Sequence, residues 1–357
     1  MKRDAEGPEA NAFLDQLPVL GICGSSGAGK TTLIEAVIPL LLARGIRVAV
    51  VKHDARNVLV DRPGKDSDRF YRAGADVWLS GAGVFGRRHR NPGFKMFLAG
   101  LCRGYDLVLV EGHAGTPVAK LWLLGKGHSE PPPGPGPVLH VLSWRQAETK
   151  VVLAWITAWL DRQWCAVPVW GCVLIGGRSR RMGRPKHLLR QEGRTWLEGT
   201  VAKLREKVDR VVISGRGEIP ASLVDVPCIA DAPGVAGPLA GVLSVMRWQP
   251  HVSWLVTACD QPCLQPGALD WLLATRRPGV WAILPDLRGA GRPEPLLAYY
   301  DFRCRDYLED IAVSGSFRLG NLAGRSAVLS PRPPAHLHQS WLNINMPAEI
   351  PSPGPLC

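Results

Sequence analysis

Residues 19–44 read VLGICGSSGAGKTTLIEAVIPLLLAR. An apolar run of strand length passes through Gly24, four residues, then Gly29-Lys30-Thr31, and continues into a helical pattern. In that strand–loop–helix context the spacing makes a phosphate cradle. Gly24, Gly27 and Gly29 let backbone N–H groups face an anion, and the helix start adds its positive end. Lys30 is expected to reach the β and γ phosphates and the Thr31 hydroxyl to hold Mg2+. Thr32, in the same turn, is counted with the nucleotide-binding residues.

Outward from this loop, strands are expected at IRVAVVKH (46–53), ADVWL (75–79), YDLVLVEG (105–112), AKLWLL (119–124) and VLHVLS (138–143). A helix over about 148–164 closes the unit. Strands alternating with helices read as a parallel α/β sheet. SEPPPGPGP (129–137) reads as a loop inside this unit, because a strand and a helix still follow it. Glu111, at the end of its strand, is the candidate for a further Mg2+ contact. Asp106, at the strand start, fits a cap or a surface residue equally well.

A second glycine-rich turn lies far downstream: LIGGRSRRMGRPKHLL, residues 174–189. No Gly-Lys-Ser/Thr closes it, so it is not another cradle of the first kind. Small residues at a strand end let a base and ribose lie against the backbone. Arg181 and Lys186 then converge on a triphosphate. That layout suits attack at the α-phosphorus with pyrophosphate leaving. Around it the pattern is again α/β: VWGCVLIGG, a helix near 195–207, RVVIS (210–214), PCIA (227–230), a helix after Pro238 and SWLVTACD (253–260). Asp260, past a buried strand, stands where an open α/β sheet places its ligands.

The bulk properties agree with two such units. At 357 residues the chain exceeds one ordinary core. The boundaries expected are an N-terminal segment without fold (1–17), a P-loop NTPase-type domain (18–166) and a Rossmann-like nucleotidyltransferase domain (167–357), both three-layer α/β. The formal charge is +12, shared by both halves, which favours anionic partners such as nucleotides. No basic run with interleaved aromatics points to nucleic acid. No apolar run approaches membrane-spanning length and no signal core opens the chain, so a cytoplasmic protein without a membrane partner is expected. The nine cysteines include no C-x-x-C pair. Cys23, Cys172 and Cys228 sit in apolar runs, which suits reduced, buried thiols.

The quoted residues also carry family resemblances. GSSGAGKTTLIEAVIPLLLARGIRVAVVKHD, DRPGKDSDRFYRAGAD, LVLVEGH and PVAKL resemble the molybdopterin-guanine dinucleotide biosynthesis adaptor proteins, with PGKDS (63–67) the most specific element. LIGGRSRRMGRPK, IADAPGVAGPLAG (229–241), TACDQP (257–262), RPEPLLA (292–298) and NINMP (343–347) resemble molybdenum cofactor guanylyltransferases. The second resemblance implies transfer of GMP from GTP to Mo-molybdopterin, with Mg2+. It places nucleotide backbone contacts at Leu174, Ile175, Gly176 and Gly177, and the triphosphate lysine at Lys186. It further places a nucleotide-binding aspartate at Asp231 and the Mg2+ aspartate at Asp260. The first implies a GTP-binding adaptor, with molybdoenzymes or their chaperones as recipients.

The chain departs from these patterns at several points. Pro185 precedes the lysine where Asp is common, and ISGRG stands where a nucleotide-binding Asn is usual, leaving Ser214 or Arg216 to substitute. Asp54, Ala55 and Arg56 follow His53 where further histidines are frequent. L-x-G-G with GPLAG favours GTP over CTP. A cytidylyl- or sugar-phosphate nucleotidyltransferase and a non-catalytic P-loop adaptor or metallochaperone remain the alternatives. His336 with His338 read as a surface segment rather than a metal site, and the Arg87, Arg88 and Arg90 loop fits a contact to the cofactor's phosphate and a solvated loop equally well.

Overall fold

The computed structural model describes residues 17–52, 64, 66–73, 77–81, 84–88, 93–112, 114–125, 130–143, 148–176 and 185–344. Two compact units result, divided between Gln163 and Trp164.

The first unit contains β1 (Val19–Gly24), α1 (Lys30–Leu42), β2 (Val48–Lys52), α2 (Asp66–Ala73), β3 (Val77–Gly81), β4 (Val84–Arg88), α3 (Phe94–Leu101), β5 (Leu107–Glu111), β6 (Ala119–Leu124), β7 (Val138–Ser143) and, up to Gln163, α4 (Thr149–Ala166). Its main sheet runs β2-β5-β1-β6-β7, parallel throughout. Interior strand β5 is LVLVE, and its four apolar residues are buried, as a strand covered on both faces requires. Leu20, Ile22, Leu107, Leu109, Leu121 and Leu123 point to one face, under α1 and α4. Val19, Val108, Val110 and Val118 point to the other, against α3.

ADVWL departs from the expectation. β3 pairs antiparallel with β4 in a separate two-stranded sheet and takes no place in the main one. The eight-residue helices α2 and α3 also went unforeseen, being too short to show a helical period.

The second unit begins with β8 (Val169–Leu174). There follow β9 (Arg190–Gln191), β10 (Arg194–Thr195), α5 (Trp196–Arg205), β11 (Val211–Ser214), β12 (Cys228–Ile229), α6 (Pro238–Trp248), β13 (Ser253–Ala258), α7 (Pro266–Thr275), β14 (Ala282–Ile283), β15 (Ala298–Tyr300), α8 (Arg305–Val313) and β16 (Val328–Leu329). Its sheet order is β12-β11-β8-β13-β15-β14-β16. β15 runs antiparallel to both neighbours, so the sheet is mixed rather than parallel as expected. Because β14 is antiparallel to β15 and β15 to β13, β14 runs parallel to β13. Helices α6 and α8 cover one face and α5 and α7 the other. At the start of α5, Thr195 and Glu198 form a reciprocal capping box that satisfies two otherwise open N–H groups.

Cys23 and Cys172 are buried as expected, whereas Cys228 is exposed because β12 is the edge strand.

Candidate nucleotide sites

In the first unit, β1 must leave the sheet while still paired to β6. Gly24 does so at φ 147°, and a Cβ there would stand 2.3 Å from the Leu123 carbonyl oxygen, so no other residue fits. Gly27 and Gly29 also have positive φ, and Gly29 caps α1. Lys30 arches back over this loop, its Nζ donating to the carbonyls of Gly24 (3.1 Å) and Ser25 (2.8 Å). The Thr31 hydroxyl donates to Glu111 Oε1 at 2.5 Å across 80 residues of sequence. The other Glu111 oxygen faces Lys52 Nζ at 3.9 Å. Thr32 is exposed beside Thr31.

Asp106 lies at the opposite end of β5. It is fully buried and accepts the Arg47 N–H at 2.7 Å, so it ties a loop rather than facing the cradle.

In the second unit, central β8 ends at Leu174, and its neighbours hold that end in place. Ile175 N–H donates to the Ser214 carbonyl (2.8 Å) and Cys259 N–H to the Leu174 carbonyl (3.1 Å). Gly176 then turns at φ 114° and is exposed. Lys186 opens a short 3-10 turn and Asp260 follows β13. Their side chains meet, Nζ to Oδ2, at 2.8 Å, with 16% and 19% of each still open to solvent. A cation and a carboxylate 74 residues apart thus share one cleft at the carboxyl edge of the sheet. The Gln261 side-chain oxygen accepts from the Thr257 hydroxyl (2.8 Å) and the Ala258 N–H (3.2 Å), fixing the turn that presents Asp260. The Ile344 N–H donates to the Asp260 carbonyl (3.0 Å), bringing the start of the NINMP stretch to the same turn.

A family model described as a MobA-like NTP transferase domain matches residues 171–327. Another, described as molybdopterin guanine dinucleotide synthesis protein B, matches residues 19–140. A molybdopterin-guanine dinucleotide biosynthesis adapter protein of Haemophilus influenzae is 42% identical over 125 residues, covering 33% of this chain and 70% of that protein. A probable molybdenum cofactor guanylyltransferase of Bacillus cereus is 30% identical over 163 residues, covering 44% of this chain and 80% of that protein. The chain belongs to both families, one in each half. A molybdenum cofactor biosynthesis bifunctional protein of Synechocystis is 30% identical over 135 residues, or 37% of this chain and 39% of that protein.

The guanylyltransferase half makes this chain a nucleotidyltransferase. Its glycines explain how the cleft is built. Gly215 turns at φ 121°, and a Cβ there would stand 2.0 Å from the Ile175 carbonyl oxygen, so the ends of β8 and β11 touch backbone to backbone. Gly241, inside α6, lets that helix approach. A Cβ there would stand 2.7 Å from Leu174 Cδ2, 3.1 Å from Ser214 Oγ and 3.6 Å from Asp231 Oδ1. Asp231 is therefore close to the end of β8.

Ser214 is spent on packing. Its buried hydroxyl bonds the Gly241 carbonyl (3.2 Å) and the Ser244 hydroxyl (3.0 Å), which removes it as the substitute for the missing asparagine. Arg216 is exposed on the adjacent loop. Burial, then the neighbouring Asp260 carboxylate, push the Cys259 thiol up to about 12, so it stays protonated and is no nucleophile.

One residue in this half had no motif to announce it. His187 is buried next to Lys186 and donates through Nε2 to the Glu218 carbonyl (3.0 Å), while its ring lies 2.8 Å from where a Gly217 Cβ would be. It pins the ISGRG loop to the lysine turn, and only the adjacent glycine in that loop hinted at so close an approach.

Gly177, Arg181, His53 and Arg90 lie outside the described residues. The backbones of Arg87 and Arg88 are in β4. His338 bonds the Pro333 carbonyl and His336 is exposed. Among the described residues no three His, Cys, Asp or Glu side chains converge on a metal position.

Proposed function

We propose that the C-terminal unit transfers GMP from GTP to the terminal phosphate of Mo-molybdopterin, forming the guanine dinucleotide and pyrophosphate, and that the N-terminal unit is a GTP-binding adaptor in its delivery. The observation that carries this reading is the contact between Lys186 and Asp260 at the carboxyl edge of the sheet.

The donor sets suit Mg2+. Asp260 in one unit, and the Thr31 hydroxyl with Glu111 in the other, offer one or two hard oxygens each. That is the sparse protein contribution this ion takes when phosphates and water complete its shell. When bound, the ion neutralises charge on the phosphates and polarises the α-phosphoryl group.

The chain's own residues do the rest. Backbone groups of Leu174, Ile175 and Gly176 border the base and ribose, and Asp231 stands beside that nucleotide subsite. Lys186, and Arg181 with it, neutralise charge growing on the leaving pyrophosphate. An oxygen of the acceptor phosphate attacks the α-phosphorus and forms a P–O bond. The bond to the bridging oxygen breaks, and its electrons leave with pyrophosphate. The acceptor oxygen is already anionic, so no side chain has to take a proton.

In the adaptor unit, Lys30 exchanges its two carbonyl partners for phosphate oxygens, while Gly24, Gly27, Gly29, Thr31 and Thr32 line the cradle.

The reaction is checked by incubating the purified chain with labelled GTP, Mg2+ and Mo-molybdopterin and resolving the products. Formation of the dinucleotide with stoichiometric pyrophosphate is expected. Folded protein that yields neither refutes the assignment, and a product formed from CTP in preference to GTP moves it to the cytidylyl reaction.

A further inference from the structure

Two sequence features remain unused by this reading: PVAKL and the proline-rich stretch after it. In the fold they meet. Lys120, on β6, is 2% exposed, and its stem lies over Gly21 of β1, where a Cβ would stand 3.3 Å from Lys120 Cγ. Its ammonium donates to the carbonyls of Thr116 (2.7 Å), Val118 (3.1 Å) and Pro135. The proline-rich segment roofs it closely. Gly136, at φ 79°, leaves no room for a Cβ, which would lie 2.5 Å from the Val118 oxygen and 2.9 Å from Lys120 Nζ.

Beside this ammonium is a half-open cavity of about 180 Å3. Ala114, Gly115, Lys120, Trp122 and the Pro132–Gly136 segment are among the residues that line it.

Three carbonyls satisfy the hydrogen bonds of an ammonium but not its charge. Among the described residues Lys120 has no ion-pair partner. Burial raises the Cys23 thiol on the adjoining strand, so that group stays neutral and supplies no counter-charge. A buried charge without a counter-charge is costly, and such a group is normally paired or pushed toward its neutral form. A second polar group is also incomplete: the Thr116 hydroxyl is buried without a hydrogen-bond partner in the segment that leads to this lysine. Burial lowers the Lys120 pKa, as expected of an uncompensated cation.

The geometry points to a binding site for a small tetrahedral oxyanion, of the phosphate class, between Lys120 and the Pro132–Gly136 segment. The anion takes over the proton now given to Pro135, the one acceptor contributed by the roof, while Thr116 and Val118 keep theirs. The site is separate from the nucleotide cradle: Gly24, Lys30 and Thr31 do not line this cavity. It rests on the fold of the adaptor unit and not on the transfer reaction.

The test uses the full chain carrying Lys30→Ala and Lys186→Ala, so that neither nucleotide site contributes. Inorganic phosphate is titrated while the emission of Trp122, which lines the cavity, and the unfolding temperature are followed. A saturable response is expected, lost in Trp122→Phe emission but kept in its unfolding temperature. Lys120→Met should weaken it roughly tenfold or more, as loss of a charged contact does. Lys120→Arg, which keeps the charge, should retain binding. Methyl phosphate distinguishes the sources: comparable binding means that the site takes the phosphate end of a larger molecule, and much weaker binding means the free anion.

The proposal is overturned by no response in folded protein, by an equal response to chloride, or by an unchanged phosphate response in Lys120→Met. Lower stability of Lys120→Met together with no phosphate response in its parent would make Lys120 a structural pin only.

Discussion

Asp260→Asn removes one charge from the cleft and almost no volume. At 2.8 Å and an effective dielectric of about 20, the gross attraction between Lys186 and Asp260 is roughly 6 kcal/mol. Desolvation offsets most of it, since both side chains are more than four-fifths covered, and a charged hydrogen bond nets about 1.5–3 kcal/mol. Asparagine still offers Lys186 an oxygen, so the ligand-free protein should lose about 1–2 kcal/mol. In a unit of this size that lowers the unfolding temperature by roughly 2–8 °C.

Turnover should suffer more, because under the proposed function the carboxylate is the protein's contact to the ion that stabilises the transferring phosphoryl group. Loss of one such stabilising group costs about 100- to 1,000-fold in kcat, or roughly 3–4 kcal/mol. GTP binding without Mg2+ should not weaken, since the missing charge repelled the phosphates. The assay is kcat and KM for GTP at saturating Mg2+, with circular dichroism confirming the fold. Turnover within about threefold of the parent would refute the role given to Asp260.

Lys30→Ala should reduce bound GTP from two per chain to one by equilibrium dialysis; an undiminished stoichiometry would disprove the cradle's role. Gly215→Ala places a Cβ 2.0 Å from a backbone oxygen at positive φ, and should cost about 3 kcal/mol or more in chemical denaturation; an effect under about 1 kcal/mol contradicts the contact between β8 and β11. Hydrogen bonds from Ser222, then from the Thr195 backbone and side chain, hold Glu198 at about 2 rather than its usual 4.5. Its stabilising contribution is therefore full above pH 4.5 and lost as pH falls toward 2. Glu198→Gln should flatten that part of the acid-unfolding curve, and an unchanged curve counts against the capping box.

Much of this architecture is legible in the sequence because its central strands are covered on both faces and read as unbroken apolar runs, such as LVLVE. Gly24 to Thr31 reads clearly for a similar reason: strand, glycine turn and helix are contiguous, so local spacing determines local geometry. The failures occur where tertiary context decides. ADVWL has the composition of a sheet strand, yet among the described residues the strand it opens into pairs only with VFGRR, a choice its own residues do not encode. β14 and β16 are two residues each and carry no period, so the reversal at β15 leaves no trace. Ser214 sits where a ligand contact was expected, but the approach of α6 through Gly241 consumes its hydroxyl. His187 and Lys120 are single residues whose roles arise from partners in distant loops.

The lysine and carboxylate of the transferase cleft stand 74 residues apart, joined by a single side-chain contact. A ribosome that has reached the end of α6 has therefore made the upstream loop and Lys186 but not yet Asp260. Copies truncated there should lack the Lys186–Asp260 pair even where the upstream unit has folded. Inactivation on heating should accordingly track disruption of the β8–β13 pairing, making catalytic competence a readout of completed synthesis.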